Sequence, residues 1–219
     1  GHSQTNSNIK QTQTIVFMKS TLLTFFIAGA MLLACDPSPN REDTKEVAEE
    51  QNEERIEATA SGNAQDADGK EEAEDKMEDD AEFMVEAASS GMLEVQLANM
   101  AMQKAASPQV KEFARMMIED HGKANKELKA LAAAKNITLP TALIDKHQSV
   151  ANDLKNEAGK EFDEAFMEKM NAAHKKDVKM FEEASTEAQD PDIRAFAAKT
   201  LPTLRNHLQH TDHLEEKAN

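Results

Sequence analysis

The chain has 219 residues, a formal net charge of −16 and 30% charged residues, with no Trp, no Tyr and a single Cys. An acidic chain without a basic stripe or stacking aromatics is unsuited to binding nucleic acid, and one cysteine rules out an internal disulfide framework or Cys-x-x-Cys chemistry. The sequence has no Gly-rich phosphate loop and no Ser/His/Asp arrangement around an exposed nucleophile, so nothing in it points to an enzyme.

In chain order, Gly1 to Phe17 is a polar Gln/Asn/Thr-rich stretch with no hydrophobic period, read as a mis-started or non-native extension. Residues 18–34 read as a secretory signal peptide. Met18 and Lys19 supply a short positive start, and the 14 apolar or small residues from Thr21 to Ala34 suit an h-region but are too few to span a membrane. The end of this run, Leu32-Leu33-Ala34-Cys35, resembles the lipobox of bacterial lipoproteins, which implies cleavage before Cys35 and acylation of its thiol. Cys35 is therefore the expected lipidation site and membrane anchor. The expected location is the cell envelope, on the periplasmic side or at the outer membrane.

Residues 35–82 read as a disordered acidic tether. Between positions 36 and 82, 19 acidic residues stand against five basic ones, so this stretch holds a net −14 of the chain's charge, with almost no large apolar side chain. Such a segment buries too little surface to offset its chain entropy, and as a flexible coil it would reach roughly 35 to 40 Å.

From Phe83 the hydrophobic period becomes helical, and the fold class is all-α: a ferritin-like up-and-down four-helix bundle over residues 83–217 with one extra short helix. A first long helix is expected over 81–106 and a second from Pro108 to 135, with Ser107 as cap and Pro108 in the first turn. A loop at 136–140 leads to a shorter helix over 141–158, broken at Gly159. Two further long helices are expected over 160–189 and 190–217, the last with a kink at Pro202.

Each long helix carries one ionisable residue on its apolar stripe: Glu94 on the first, then His121, His174 and His207. Glu94 and His121 stand equally far from the Ser107-Pro108 turn, and His174 and His207 are almost equally far from Pro191, so each hairpin brings its pair to one level. If the hairpins dock with aligned midpoints, one carboxylate and three imidazoles converge, with Asp177 one turn from His174. That donor set suits one divalent ion such as Zn²⁺, Fe²⁺ or Mn²⁺.

The runs Gly91-Met-Leu-Glu-Val-Gln-Leu97, Val110-Lys-Glu-Phe-Ala-Arg-Met-Met-Ile-Glu-Asp-His121, Phe162-Asp163 with His174, and Leu201-Pro-Thr-Leu-Arg-Asn-His207 resemble the bacterial domain of unknown function 4142 family. The resemblance covers about 81–217. It implies a ferritin-like bundle of the outer membrane or periplasm with no settled activity. Ferritin-like di-iron proteins place Glu on two helices and Glu-x-x-His on the other two. This chain departs from that pattern: Glu119 and Asp120 lie directly beside His121, on other faces of the helix, and no Glu precedes His207 at the required spacing. Two inward carboxylates are too few for a di-iron centre.

Other features carry less. His207, His210 and His213 fan across a helix face, His147 sits on the stripe of the short helix as an interhelical contact, and most of the 12 methionines fall at core spacing as gap-fillers. Two functions remain. The first is a lipid-anchored envelope protein whose bundle is an interaction or stress-related module, with its His and Glu bonded to one another and its protein partners unspecified. The second is a mononuclear metal-binding bundle using Glu94, His121, His174 and His207, with Asp177 adjoining.

Overall fold

The computed structural model describes residues 43–60 and 67–218. The extension, the signal peptide and Cys35 lie outside them. Among the described residues there are six helices and no strand: α1 (Thr44–Ala60), α2 (Ala67–Lys104), α3 (Pro108–Lys135), α4 (Asp145–Asp153), α5 (Gly159–Glu187) and α6 (Pro191–Ala218). No helix among these residues is long and apolar enough to cross a membrane.

Helices α2, α3, α5 and α6 form the bundle. Its turns are built from the residues that the sequence marks. Ser107 is extended, with Pro108 in the first turn of α3, and its hydroxyl accepts the Val110 N–H. Asn136 closes α3 in the left-handed conformation (φ 57°), where Ile137 N–H reaches back to the Ala132 carbonyl. Asp190 caps α6 by accepting the Asp192 and Ile193 N–H groups. Helix α6 continues through Pro202.

The hairpins α2–α3 and α5–α6 pack α2 on α5 and α3 on α6. Asp163, near the start of α5, accepts the N–H groups of Ala106 and Ser107 in the α2–α3 turn, at 3.1 and 2.8 Å. Asp80 on α2 accepts those of Gln189 and Asp190 in the α5–α6 turn, at 2.9 and 2.7 Å. Thus α5 starts where α3 starts, and the two run in the same direction. The segment 136–158 has to cross the length of the bundle between them, which gives the single-crossover, ferritin-like form of the four-helix fold. Helix α4 lies in that crossover. Ser89 fastens it to α2, accepting the Ile144 N–H and donating its hydroxyl to His147 Nδ1 at 2.7 Å, and Lys104 fastens its far end by donating to the carbonyls of Leu154, Lys155 and Glu157.

Two apolar clusters fill the ends of the bundle. Phe113, Met117, Phe162, Phe166 and Leu154 pack at the end of the α2–α3 turn, and Phe83, Leu128, Phe181, Ile193 and Phe196 pack at the other. The middle is polar.

The acidic segment corrects the expectation of a disordered tether. Residues 44–60 and 67–82 are helical, so α2 begins well before 81. Asp43 caps α1 by accepting the Lys45 N–H at 3.0 Å. The seam of α1 is narrow, with Ala48 and Asn52 buried one turn apart. Asn52 donates to the Thr138 carbonyl (3.0 Å) and accepts the Thr138 N–H (2.7 Å), while Arg55 donates to the Asn136 carbonyl and the Thr138 hydroxyl. A small side chain and paired hydrogen bonds hold this helix in place of the large apolar residues that a stripe search looks for.

Candidate metal centre

The five residues singled out from the sequence all lie in the polar middle. Glu94, His174 and His207 are fully buried, and His121 and Asp177 are nearly so. Gly91 on α2, one turn before Glu94, leaves room for the Asn125 side chain of α3: a Cβ there would lie 2.1 Å from Asn125 Oδ1.

The three imidazoles converge on one point. His207 Nδ1 is 3.2 Å from His121 Nε2 and 3.3 Å from His174 Nε2, and the three ligand atoms all lie within 4.8 Å of one another. The opposite nitrogen of each ring faces an acceptor. His174 Nδ1 donates to the Met170 carbonyl at 2.8 Å, which can only accept, so the proton is on Nδ1. His207 Nε2 donates to Asp120 Oδ2 at 3.1 Å. His121 Nδ1 stands 2.8 Å from Glu94 Oε2, which draws that ring's proton to the carboxylate side when Glu94 is ionised. Each neutral ring has one proton, so His174 Nε2 and His207 Nδ1 present bare lone pairs to one another, and His121 Nε2 joins them when ionised Glu94 holds that ring's proton on Nδ1.

Burial sets the charges in the same sense. Desolvation pulls His121 down to about 4 against the attraction of Asp177 and Asp120. It pulls His207 down to about 4 as well, with His121 adding to the effect and Asp120 opposing it. His174 is lowered by burial, with Glu94 opposing. The imidazoles are therefore neutral at pH 7 and available as ligands. Glu94 is raised to about 7 by desolvation, against the pull of His174 and a bond to Asp177. Asp177 is raised well above the usual carboxylate range by burial and by the neighbouring Glu94. Among the described residues neither Glu94 oxygen receives an aligned hydrogen bond from an N–H or hydroxyl donor. A proton shared with Asp177 is the relief available to that buried carboxylate.

Three imidazole nitrogens around one Zn²⁺-like ion, each about 2.0 to 2.1 Å from it in tetrahedral geometry, stand roughly 3.3 Å apart. Two of the three separations, 3.2 and 3.3 Å, match that spacing, and the third lies within 4.8 Å. The outer acceptors are of the kind that orient metal-bound histidines: a carboxylate on His121, a carbonyl on His174 and a carboxylate on His207.

Asp177 lies outside the three-nitrogen point. It accepts the Ser90 hydroxyl on both oxygens, at 3.0 and 2.9 Å, and lies beside Glu94. Asp120 was passed over in the sequence because it falls on a different face of α3 from His121, yet that face is the one that meets α6 and His207. Ser90 and the Met170 carbonyl carry no sequence signal of their own. His210 stacks on Phe113 at the surface and does not join the group.

The family profile described as "Domain of unknown function (DUF4142)" matches residues 45–214. The chain belongs to this family. The match begins at α1, so the family includes the acidic helix that packs on the bundle. No curated protein matches the chain. Similar solved structures include CopM in the Cu(I)-bound form (21% identity, 63% of this chain and 96% of that one, TM-score 0.53) and in the Cu(II)-bound form (20%, 64% and 97%, TM-score 0.55). A DUF305 fragment from Deinococcus radiodurans is also similar (13%, 64% and 96%, TM-score 0.56). At these identities the likeness is one of fold.

Proposed function

We propose that this protein is a metal-binding bundle of the bacterial cell envelope, holding one copper ion on His121, His174 and His207 and anchored to a membrane by acylated Cys35. The observation that carries the reading is the buried meeting of three imidazole nitrogens, in which His174 Nε2 and His207 Nδ1 face one another unprotonated at 3.3 Å and His121 Nε2 stands 3.2 Å from His207 Nδ1. Facing lone pairs in a low dielectric repel, and a cation between them turns the repulsion into ligation. Glu94 and Asp120 hold the rings of His121 and His207, and ionised Glu94 balances part of the charge. A purely structural polar cluster, as an interaction or stress module would need, leaves the facing lone pairs of His174 and His207 with at most one donor between them, the His121 Nε2.

Copper is favoured over Zn²⁺, Fe²⁺ or Mn²⁺ on two grounds. Cu²⁺ heads the affinity order for nitrogen ligands among first-row divalent ions, and the CopM structures of the same fold are copper-bound forms. The anchor and the envelope location rest on Leu32-Leu33-Ala34-Cys35 and the apolar run before it.

The test is metal analysis and calorimetry on protein purified without a metal-affinity step. One equivalent of copper with a raised melting temperature is expected, because a ligand that binds only the native state stabilises it. Identical melting curves with EDTA, Cu(I), Cu²⁺ and Zn²⁺, with no metal in the purified protein, would overturn the reading. Intact mass of the membrane fraction tests the anchor: a diacyl or triacyl adduct on Cys35 is expected, and an unmodified mature N-terminus would exclude it.

A further inference from the structure

The two hairpins share a register. Helix α2 ends at Lys104 and α5 at Glu187, α3 starts at Pro108 and α6 at Pro191, and α3 ends at Lys135 and α6 at Ala218. Each pair is 83 positions apart. The same offset relates the turn-holding carboxylates Asp80 and Asp163, and it relates Glu94 to Asp177. Applied to the imidazoles, it carries His121 onto Leu204, His174 onto Gly91 and His207 onto Ala124. The bundle thus holds three rings on one side of the Glu94–Asp177 pair, and a glycine, an alanine and a leucine on the other.

On that second side a cavity of about 20 Å³ touches both Glu94 and His121. It has about the room of a single water molecule. Next to it, along α2, α3 and the loop that follows α3, runs a solvent-open groove of about 480 Å³ lined by Met92, Ile137 and Leu139 among others. Asn125 borders the cavity and the groove alike. Its half-buried side chain lies across Gly91, where a Cβ would meet Oδ1 at 2.1 Å, and among the described residues its amide has no hydrogen-bond partner. Only packing seats it there, and a polar side chain loses nothing by turning out to water. At the position the offset makes equivalent stands apolar Leu208. The other approaches to the centre are covered by bonded or packed groups: Phe113 edge-on against His207, Asp120 on His207 Nε2, Ser90 on Asp177, and a phenylalanine cluster at each end.

We propose that Asn125 is a gate through which a metal ion reaches the three imidazoles, swinging off Gly91 to join the groove to the cavity beside Glu94 and His121. The inference rests on the three-imidazole reading of the centre and adds its route of loading. The ion enters along the α2–α3 seam and passes the Glu94 carboxylate, and His121 is the first ligand it meets. Gly91 is the seat that lets the gate close. A residue that only has to move aside changes the barrier and leaves both end states alone, so uptake and release change together and the dissociation constant stays.

The experiment measures rates on both sides of that equality. Stopped-flow mixing with copper, and release to a chelator, are followed in the wild type, Asn125→Ala, Asn125→Leu and Gly91→Ala, with circular dichroism to check helicity. Asn125→Ala removes the gate and Gly91→Ala unseats it, so both should speed uptake and release severalfold at unchanged affinity. Asn125→Leu keeps the bulk and removes the reason to turn out to water, so it should slow both. A second reading needs no metal. Carbethoxylation of the metal-free protein by diethyl pyrocarbonate, a reagent too large for a water-sized cavity, is mapped by mass spectrometry with exposed His210 and His213 as internal references. Labelling of His121 should rank Asn125→Ala above wild type and wild type above Asn125→Leu. Wild-type uptake and wild-type His121 labelling in all three variants overturn the gate, and so does an affinity change carried by release alone, which would make Asn125 a ligand. A wild type that binds no copper would defeat the function proposed above, while the ranking of His121 labelling would still decide for or against the gate.

Discussion

On one side of Glu94 and Asp177 the bundle places three imidazoles, and on the other it places Gly91, Ala124 and Leu204 at the positions an 83-residue offset makes equivalent. The backbone, the turns and the capping carboxylates are alike on the two sides, so the fold dictates none of this difference. A ligand set has to be supported by outer acceptors that the frame also provides, and the imidazole side has them: Met170 behind His174, Glu94 beside His121 and Asp120 behind His207. The other side shares the carboxylate pair and holds a water-sized void.

The largest expected effect is at His174, whose Nδ1–H is fixed by its own helix. His174→Ala removes one of three ligands and should abolish the metal-dependent rise in melting temperature, a loss of about 4 kcal/mol if free metal stands a thousandfold above its dissociation constant. Gly91→Ala at the equivalent position should leave metal affinity unchanged, because it displaces only Asn125. Titration calorimetry on the two variants checks both sides at once, and an equal loss of affinity in Gly91→Ala would break the asymmetry.

Next comes Asp120. It orients His207 through the 3.1 Å contact to Nε2, while the equivalent Ala124 has no ring to orient. Asp120→Asn should lower metal affinity by about 10- to 100-fold, the usual cost of losing an outer-shell carboxylate, with little change in the melting temperature of the metal-free protein. A variant that binds metal as the wild type does would place Asp120 outside the centre.

The course of the helices and the level of the polar residues were legible in the sequence because both follow from period and turn chemistry. Ser107-Pro108, Asp190-Pro191 and the apolar stripes set the helix ends, and equal distances from the turns set the depth of Glu94, His121, His174 and His207. The crossover direction was not legible, since it depends on which turn Asp163 and Asp80 capture. The separation of Glu94 from Asp177 in role was hidden too, because Ser90 claims Asp177 only once α2 and α5 are packed. Helix α1 escaped notice for a different reason. Its buried seam is Ala48 and Asn52, and a composition test reads only its glutamates. Asn52→Ala would strip both partners from the Thr138 backbone and should destabilise the protein by about 2 kcal/mol, measured by urea denaturation. An unchanged midpoint would return α1 to the status of a loose tether.

A further effect is in pH dependence, and it also tells the two sides apart. His121 and His207 have their pKa values pulled to about 4, so above pH 5 an incoming ion displaces no proton from those two rings. Glu94, raised to about 7, holds a proton through that range. A cation on the far nitrogen of the His121 ring favours the ionised form of Glu94, so binding should release one proton between pH 5 and 7. Affinity should then rise about tenfold per pH unit in that window and level off above pH 7. In the metal-free protein the signs oppose. The lowered histidines contribute stability that is lost as pH falls from about 6.5 to about 4, where the unfolded chain binds more protons. Raised Glu94 contributes stability that is present below about 4.5 and lost as pH rises toward 7. The metal-free melting temperature should therefore change less across this range than the metal affinity does. Glu94→Gln should flatten the affinity profile, whereas Leu204→Ala on the other side should leave its slope intact. A slope of two or three protons per ion would mean that the imidazoles themselves titrate, and the dry three-nitrogen centre would be wrong.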